Sequence, residues 1–136
     1  MRHFIYLFIV GVFLYSCKKP PGKGGNSYIT GKVTLRKYNT TYGTFSDVYP
    51  GAEVKVYVIF GNEISYGDDT KTDYNGNFIF KYLTKGKYHV YVYTTDTITY
   101  KGPPFNPKAP KQVLIKDIEI TQSKQTVDVG EFIIAN

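Results

Sequence analysis

Asn77-Phe78-Ile79-Phe80-Lys81-Tyr82-Leu83-Thr84-Lys85-Gly86-Lys87-Tyr88-His89-Val90-Tyr91-Val92-Tyr93 is the stretch that decides the fold. Phe78, Phe80 and Tyr82 alternate with Ile79 and Lys81; after the turn at Leu83-Thr84-Lys85-Gly86, Tyr88, Val90 and Val92 alternate with His89, Tyr91 and Tyr93. Successive side chains leave a strand on opposite faces, so a period of two in β-branched and aromatic residues marks strands with one face on a core. Upstream, Ile29, Gly31, Val33 and Leu35 oppose Thr30, Lys32, Thr34 and Arg36. Pro50-Gly51 makes a turn, after which Val54, Val56, Val58 and Phe60 oppose Glu53, Lys55, Tyr57 and Ile59. Thr70 to Tyr74 reads as a short polar strand entering a hairpin at Asn75-Gly76, a pair suited to a type I′ turn. Residues 38–49 are an insertion, with Asn39-Thr40-Thr41-Tyr42-Gly43 as a surface loop.

Downstream, two strands lose phase. The apolar set runs Val113, Ile115, then Ile118, Ile120, and later Val127, Val129, then Phe132, Ile134. A three-residue step in a period-two pattern predicts a β-bulge in each, with Gly130 the natural site in the last strand. Between residues 103 and 110, prolines 103, 104, 107 and 110 cannot donate to a ladder, so that segment around Phe105 is a stiff crossing loop. About seven short strands with no helical period predict an all-β, two-sheet antiparallel sandwich.

Composition narrows the chemistry. The chain has 136 residues, one domain's worth, with 14 Tyr, 9 Phe and no Trp. One Cys excludes an internal disulfide and a Cys-rich zinc cluster, and two His are too few for a multi-histidine metal site. The formal charge is +6, yet residues 27–136 carry 13 basic against 11 acidic groups, only +2. The domain therefore lacks the basic stripe of a nucleic-acid binder.

The excess of positive charge sits near the start. Met1-Arg2-His3 precedes an apolar run from Phe4 to Leu14, about half the ~20 residues of a membrane-spanning helix. A basic head followed by a short apolar run is the layout of a secretory signal. Its end, Leu14-Tyr15-Ser16-Cys17, resembles the lipobox of bacterial lipoproteins, with an aliphatic residue three before the Cys and a small one directly before it. The resemblance implies cleavage before Cys17 and acylation of Cys17. It also implies a place in the bacterial cell envelope, on the outer membrane, with membrane lipid as the first partner. Several acyl chains make such an attachment effectively permanent. Lys18-Lys19-Pro20-Pro21-Gly22-Lys23-Gly24-Gly25-Asn26 then reads as a flexible tether. The expected organisation is a signal peptide over 1–16, lipidated Cys17 and tether over 17–27, and a sandwich over 28–136.

Four blocks carry a second resemblance: Ile29-Thr30-Gly31-Lys32-Val33, Pro50-Gly51-Ala52-Glu53-Val54, Thr72-Asp73-Tyr74-Asn75-Gly76-Asn77-Phe78, and Leu83-Thr84-Lys85-Gly86-Lys87-Tyr88-His89-Val90. In this order they resemble the carboxypeptidase regulatory-like domains, which have a transthyretin-like sandwich. The resemblance implies Phe78, Phe80, Leu83 and Tyr88 between the sheets. It also implies a non-catalytic role beside another envelope protein or a surface polymer.

The remaining side chains fit that reading. His89 alone cannot build a zinc site and is expected as an exposed strand residue, and no Ser or Cys arrangement supports a nucleophile. Asp68, Asp69, Asp73, Asn75 and Asn77 either form a weak calcium site or serve as turn formers. An EF-hand is excluded, since counting from Asp73 puts Phe78 and Thr84 where Gly and Glu are required. Lys37 and Asn136 loosely resemble the isopeptide pair of collagen-adhesin B-type repeats, without the acidic partner. Tyr57, Ile59, Ile79, Tyr91 and Tyr93 fall on outward positions. If their strands share a sheet they form an aromatic patch, and Tyr57, Ile59, Tyr91 and Tyr93 are the candidate binding surface. The expectation is a lipid-anchored, non-enzymatic binding or accessory module without a cofactor. The alternative is a glycan- or peptide-binding lipoprotein with a defined ligand site; the lack of Trp argues against sugar stacking, although Tyr can substitute.

Overall fold

The computed structural model describes residues 18–39, 44–95 and 111–135. The expected signal peptide, Cys17, most of the surface loop expected at 39–43, the crossing loop expected around Phe105, and Asn136 lie outside the described residues. Eight strands form two sheets, and no helix occurs among the described residues: β1 Lys23–Asn39, β2 Thr44–Pro50, β3 Lys55–Phe60, β4 Asp68–Lys71, β5 Asn77–Leu83, β6 Gly86–Thr95, β7 Lys111–Ile120 and β8 Thr126–Ala135.

The sandwich is as the alternation predicts, with one difference in strand direction. In the first sheet β1 is central: residues 29–32 pair with both β5 and β8, and residues 34–36 with both β2 and β8. A strand has two edges, so β5 and β2 lie end to end along one edge of β1 and β8 occupies the other. The β1–β8 pairing is parallel, which the expectation of an antiparallel sandwich did not include. The second sheet has the order β4-β3-β6-β7, antiparallel throughout.

The inward rows meet in one core. Ile29 and Val33 of β1, Val56 and Val58 of β3, Phe78 and Phe80 of β5, Val90 and Val92 of β6, and Phe132 and Ile134 of β8 are all buried. Leu83 and Tyr88 join them, so the four residues expected between the sheets are there. Tyr82 is not: it has φ of 61°, turns outward, and meets Tyr28 at a centroid distance of 6.2 Å. The irregular register of β5 against β1 at Leu83 accounts for the lost phase.

Three local expectations change. The Asn75-Gly76 turn is tight, but it joins no hairpin: β4 pairs with β3 and β5 pairs with β1, so the turn carries the chain from one sheet to the other. Only Gly76 there has positive φ (81°), and its N–H donates to the Asp73 carbonyl, the arrangement of a type I turn with Gly at the fourth place, not type I′. Secondly, the bulge in β8 falls at Gly130 as expected, where three β1 residues, Thr30 to Lys32, face four on β8, Asp128 to Glu131. No bulge exists in β7, whose register against β6 is unbroken from Lys111 to Ile120. The inward row of β7 is Leu114, Lys116, Ile118 and Ile120, and Val113 and Ile115 point out. Lys116 holds an inward place because its Nζ donates to the carbonyls of Val129 (2.9 Å) and Glu131 (2.8 Å) on β8. Its ammonium also sits 4.8 Å from the centre of the Phe132 ring.

Thirdly, the domain starts before residue 28. β1 begins at Lys23, and the Gly22 N–H donates to the buried Tyr88 hydroxyl at 3.0 Å. That hydroxyl in turn donates to the Thr84 carbonyl at 2.7 Å, and Thr84 donates to the Pro20 carbonyl. Glycines and prolines with nothing to bury are held by backbone hydrogen bonds, which composition does not reveal.

Candidate functional site

The outer face of the second sheet brings several tyrosines and aliphatic residues into rows. Tyr57 of β3 faces Tyr91 of β6, and Tyr91 faces Ile115 of β7; one step along, Tyr93 faces Val113. Antiparallel register puts such residues side by side on one face. Tyr57 and Tyr91 stack with centroids 5.0 Å apart and planes 11° from parallel. Tyr93 meets both edge-on, 5.7 Å from each. Tyr66, in the loop between β3 and β4, closes the other side of Tyr57 edge-on at 5.1 Å. Since the stacked rings present their faces to each other, the cluster offers edges, hydroxyls and aliphatic neighbours to the outside. Tyr93, Val113 and Ile115 remain 45%, 48% and 53% exposed, so the face is apolar and uncovered by any described residue.

Charge frames the cluster on two sides. Lys55 pairs with Asp69 at 3.2 Å and lies 5.7 Å from the Tyr57 ring centre. The hydrogen bond and the charge of Asp69 raise the Lys55 pKa above its ordinary value. In the next row Ile59 faces His89, whose Nδ1 is 2.5 Å from Asp117 Oδ1 on β7. His89 is thus half-buried and paired with Asp117, where an exposed residue was expected. Burial, with the neighbouring Tyr93 hydroxyl, pushes the Tyr91 phenol above its ordinary pKa.

Of the expected surface, Tyr57, Tyr91 and Tyr93 come together and Ile59 lies one row away on the same face. Ile79 belongs to β5 in the other sheet and is not part of it. Tyr66, Val113 and Ile115 join the face without having been expected there. A lysine in the inward row of β7 inverts the apparent phase of that strand, and a loop tyrosine has no period to betray it.

The acidic residues near the inter-sheet turn divide among separate partners. Asp68 pairs with Lys23 (2.5 Å) and Asp69 with Lys55, while Asp73 Oδ1 accepts from the N–H groups of Asn75 (2.9 Å) and Asn77 (2.8 Å). Asp73 is a turn former in the ordinary sense. Among the described residues no three His, Cys, Asp or Glu side chains are placed to share a metal. Hollows also lie elsewhere among the described residues. One of about 840 Å³ beside Gly31 carries both signs, with Lys32 and Lys71 against Glu53, Asp73, Asp128 and Glu131. Another, about 960 Å³, lies at the start of β1 and brings Lys18 and Lys19 beside Lys85.

No protein-family model matches the chain, and no curated protein resembles it in sequence. Among solved structures it is similar to a candidate carbohydrate binding protein of Pseudomonas aeruginosa, with 15% identity, a TM-score of 0.46, and coverage of 90% of this chain and 94% of that one. It is also similar to (S)-allantoin synthase, with 11% identity, a TM-score of 0.43, and coverage of 84% of this chain and 42% of that one.

Proposed function

We propose that the chain is a lipid-anchored, non-enzymatic binding module of the bacterial envelope, which holds another envelope protein on the tyrosine face of its second sheet. The observation that carries the reading is the continuous row Tyr57–Tyr91–Ile115, flanked by Tyr66, Tyr93 and Val113 and left uncovered by any described residue. Aromatic and aliphatic side chains exposed together, with polar groups at the rim, are the composition of a protein-recognition patch. Membership of the carboxypeptidase regulatory-like domains and acylation of Cys17 belong to the same proposal. They rest on the four sequence blocks and on the Leu14-Tyr15-Ser16-Cys17 motif.

A glycan is the second reading, favoured by the hydroxyls that the clustered tyrosines carry to one face. The rings' use of their own faces weighs toward a protein, because sugar stacking needs a free ring face. Photoreactive residues placed at 93, 115 and 133 in intact cells decide the matter; Ile133 is exposed on the other sheet and serves as the control. A protein adduct is expected from positions 93 and 115 and not from 133, and equal labelling at all three would refute the proposed face. Truncating Tyr93 or Ile115 to Ser should weaken the captured complex about thirtyfold, the size of a hot-spot loss. Saturable oligosaccharide binding lost in Tyr91→Ala or Tyr93→Ala would establish the glycan instead.

A further inference from the structure

We propose that the free edge of β7 joins two copies of this chain, so that their second sheets run on as one. β7 ends the order β4-β3-β6-β7 and pairs, among the described strands, with β6 alone. It is ten residues long with an unbroken register, whereas β4 at the opposite edge has four residues, of which Asp68 and Asp69 are held in ion pairs. Short, charged edges resist strand addition, and long regular ones invite it. β8, beside β7 in the other sheet, is blunted by the bulge at Gly130 and by the Lys116 ammonium on two of its carbonyls. β7 has no bulge, and its one inward charge, Lys116, is engaged with the β8 carbonyls.

The sequence of β7 complements itself in one antiparallel register. With the two-fold axis at Leu114, Lys111 of one copy faces Asp117 of the second, and Val113 faces Ile115 of the second, each pair occurring twice. All four side chains stand on the outer face, so opposite charges and apolar groups meet side by side. Sliding by one pair in either direction breaks the match. With Ile115 on the axis Lys111 still meets an acidic residue, Glu119, but Val113 meets Asp117; with Val113 on the axis Lys111 meets Ile115. The axis runs perpendicular to the sheet, which leaves both tyrosine clusters on the same side of the joined sheet. The pairing goes beyond the proposed partner face and does not depend on it: it shares Val113 and Ile115 with that face, but its Lys111–Asp117 pairs lie outside it and no tyrosine takes part.

Sedimentation equilibrium on the full chain in a density-matched detergent reads the pairing, and reversing the two charges reads its register. The wild-type chain should dimerise. Lys111→Asp and Asp117→Lys should each weaken the dimer about tenfold, because two attractive pairs become repulsive. The double variant should restore it. A wild-type chain that stays monomeric at about 100 μM overturns the proposal, as do dimers indifferent to the single reversals or a double variant that fails to recover. Asp117 also contacts His89. If Asp117→Lys does not fold, Lys111→Glu and Ile115→Ser probe the same edge: loss of dimer in both supports it, and retention in either refutes it. Labelling from position 93 tests the tyrosine face separately.

Discussion

Lys116 enters the sandwich from β7 with its stem among apolar neighbours and its ammonium on two carbonyls of β8. Lys116→Met keeps the stem and removes two charge-assisted hydrogen bonds, so we expect a loss of about 1–3 kcal/mol. Urea unfolding measures it, and an unchanged midpoint would show that the ammonium holds nothing. Tyr91 makes a prediction of opposite character. Its phenol titrates above the ordinary 10.0 because burial disfavours the phenolate. The folded chain therefore keeps a proton that the unfolded chain has lost, and Tyr91's contribution to stability is complete below pH 10.0 and fades as pH rises through the higher folded value. Absorbance titration at the phenolate band, wild type minus Tyr91→Phe, should show a component more alkaline than free tyrosine. A difference curve centred at or below the free value would contradict this. Three of the clustered tyrosines were legible in the alternation of β3 and β6. Val113 and Ile115 were not, because a snorkelling lysine in the inward row reads as outward, and Tyr66 was not, because a loop residue has no period.

At the level of elements, alternation located β1, β3, β6 and β8 and the bulge at Gly130, since each has one face on the core and one in water. It did not say which strands pair. Asn75-Gly76 reads locally as a hairpin, yet Asp73 caps a turn that crosses between sheets, and the choice of partner for β5 is made by packing on β1, far away in sequence. Two of the positive-φ glycines, Gly76 and Gly130, therefore differ in consequence. A Cβ on Gly76 would lie 2.3 Å from the Val33 carbonyl oxygen, whereas one on Gly130 would meet only the Lys116 Nζ at 3.5 Å. Gly130→Ala should cost about 1 kcal/mol, the strain of a left-handed alanine, and Gly76→Ala several times that or no folded protein at all. Thermal unfolding of the two variants settles the order, and equal losses would mean that β1 gives way at Val33.

For the whole molecule, the start of the chain would set how the proposed binding face is presented. Pro21 packs on Gly61 and Gly86, so the described chain begins at the pole where β3 ends and β6 begins. Along β6, Tyr91 and Tyr93 then stand about 17 and 24 Å from that pole, at roughly 3.4 Å per residue. An acyl anchor at Cys17 would place the tyrosine face upright beside the membrane, within reach of a neighbour and clear of the headgroups. Cys17→Ser should move the protein from the membrane to the soluble fraction without changing its unfolding midpoint, and retention on the membrane would defeat the anchor. The sandwich was legible from 110 residues of alternation, whereas the role of residues 20–27 was not, because their bonds are made by backbone atoms that every residue type shares.

The parallel union of β1 with β8 ties the beginning of the chain to its end. A ribosome delivers β1 first and β8 last, so the central strand must wait for nearly the entire polypeptide before one of its two sides is occupied. Topologies that depend on such distant meetings fold slowly. Until β8 has been made, β1 lacks the neighbour on one of its sides, and under the proposed export that delay would leave the sandwich unlocked while the chain is carried across a membrane.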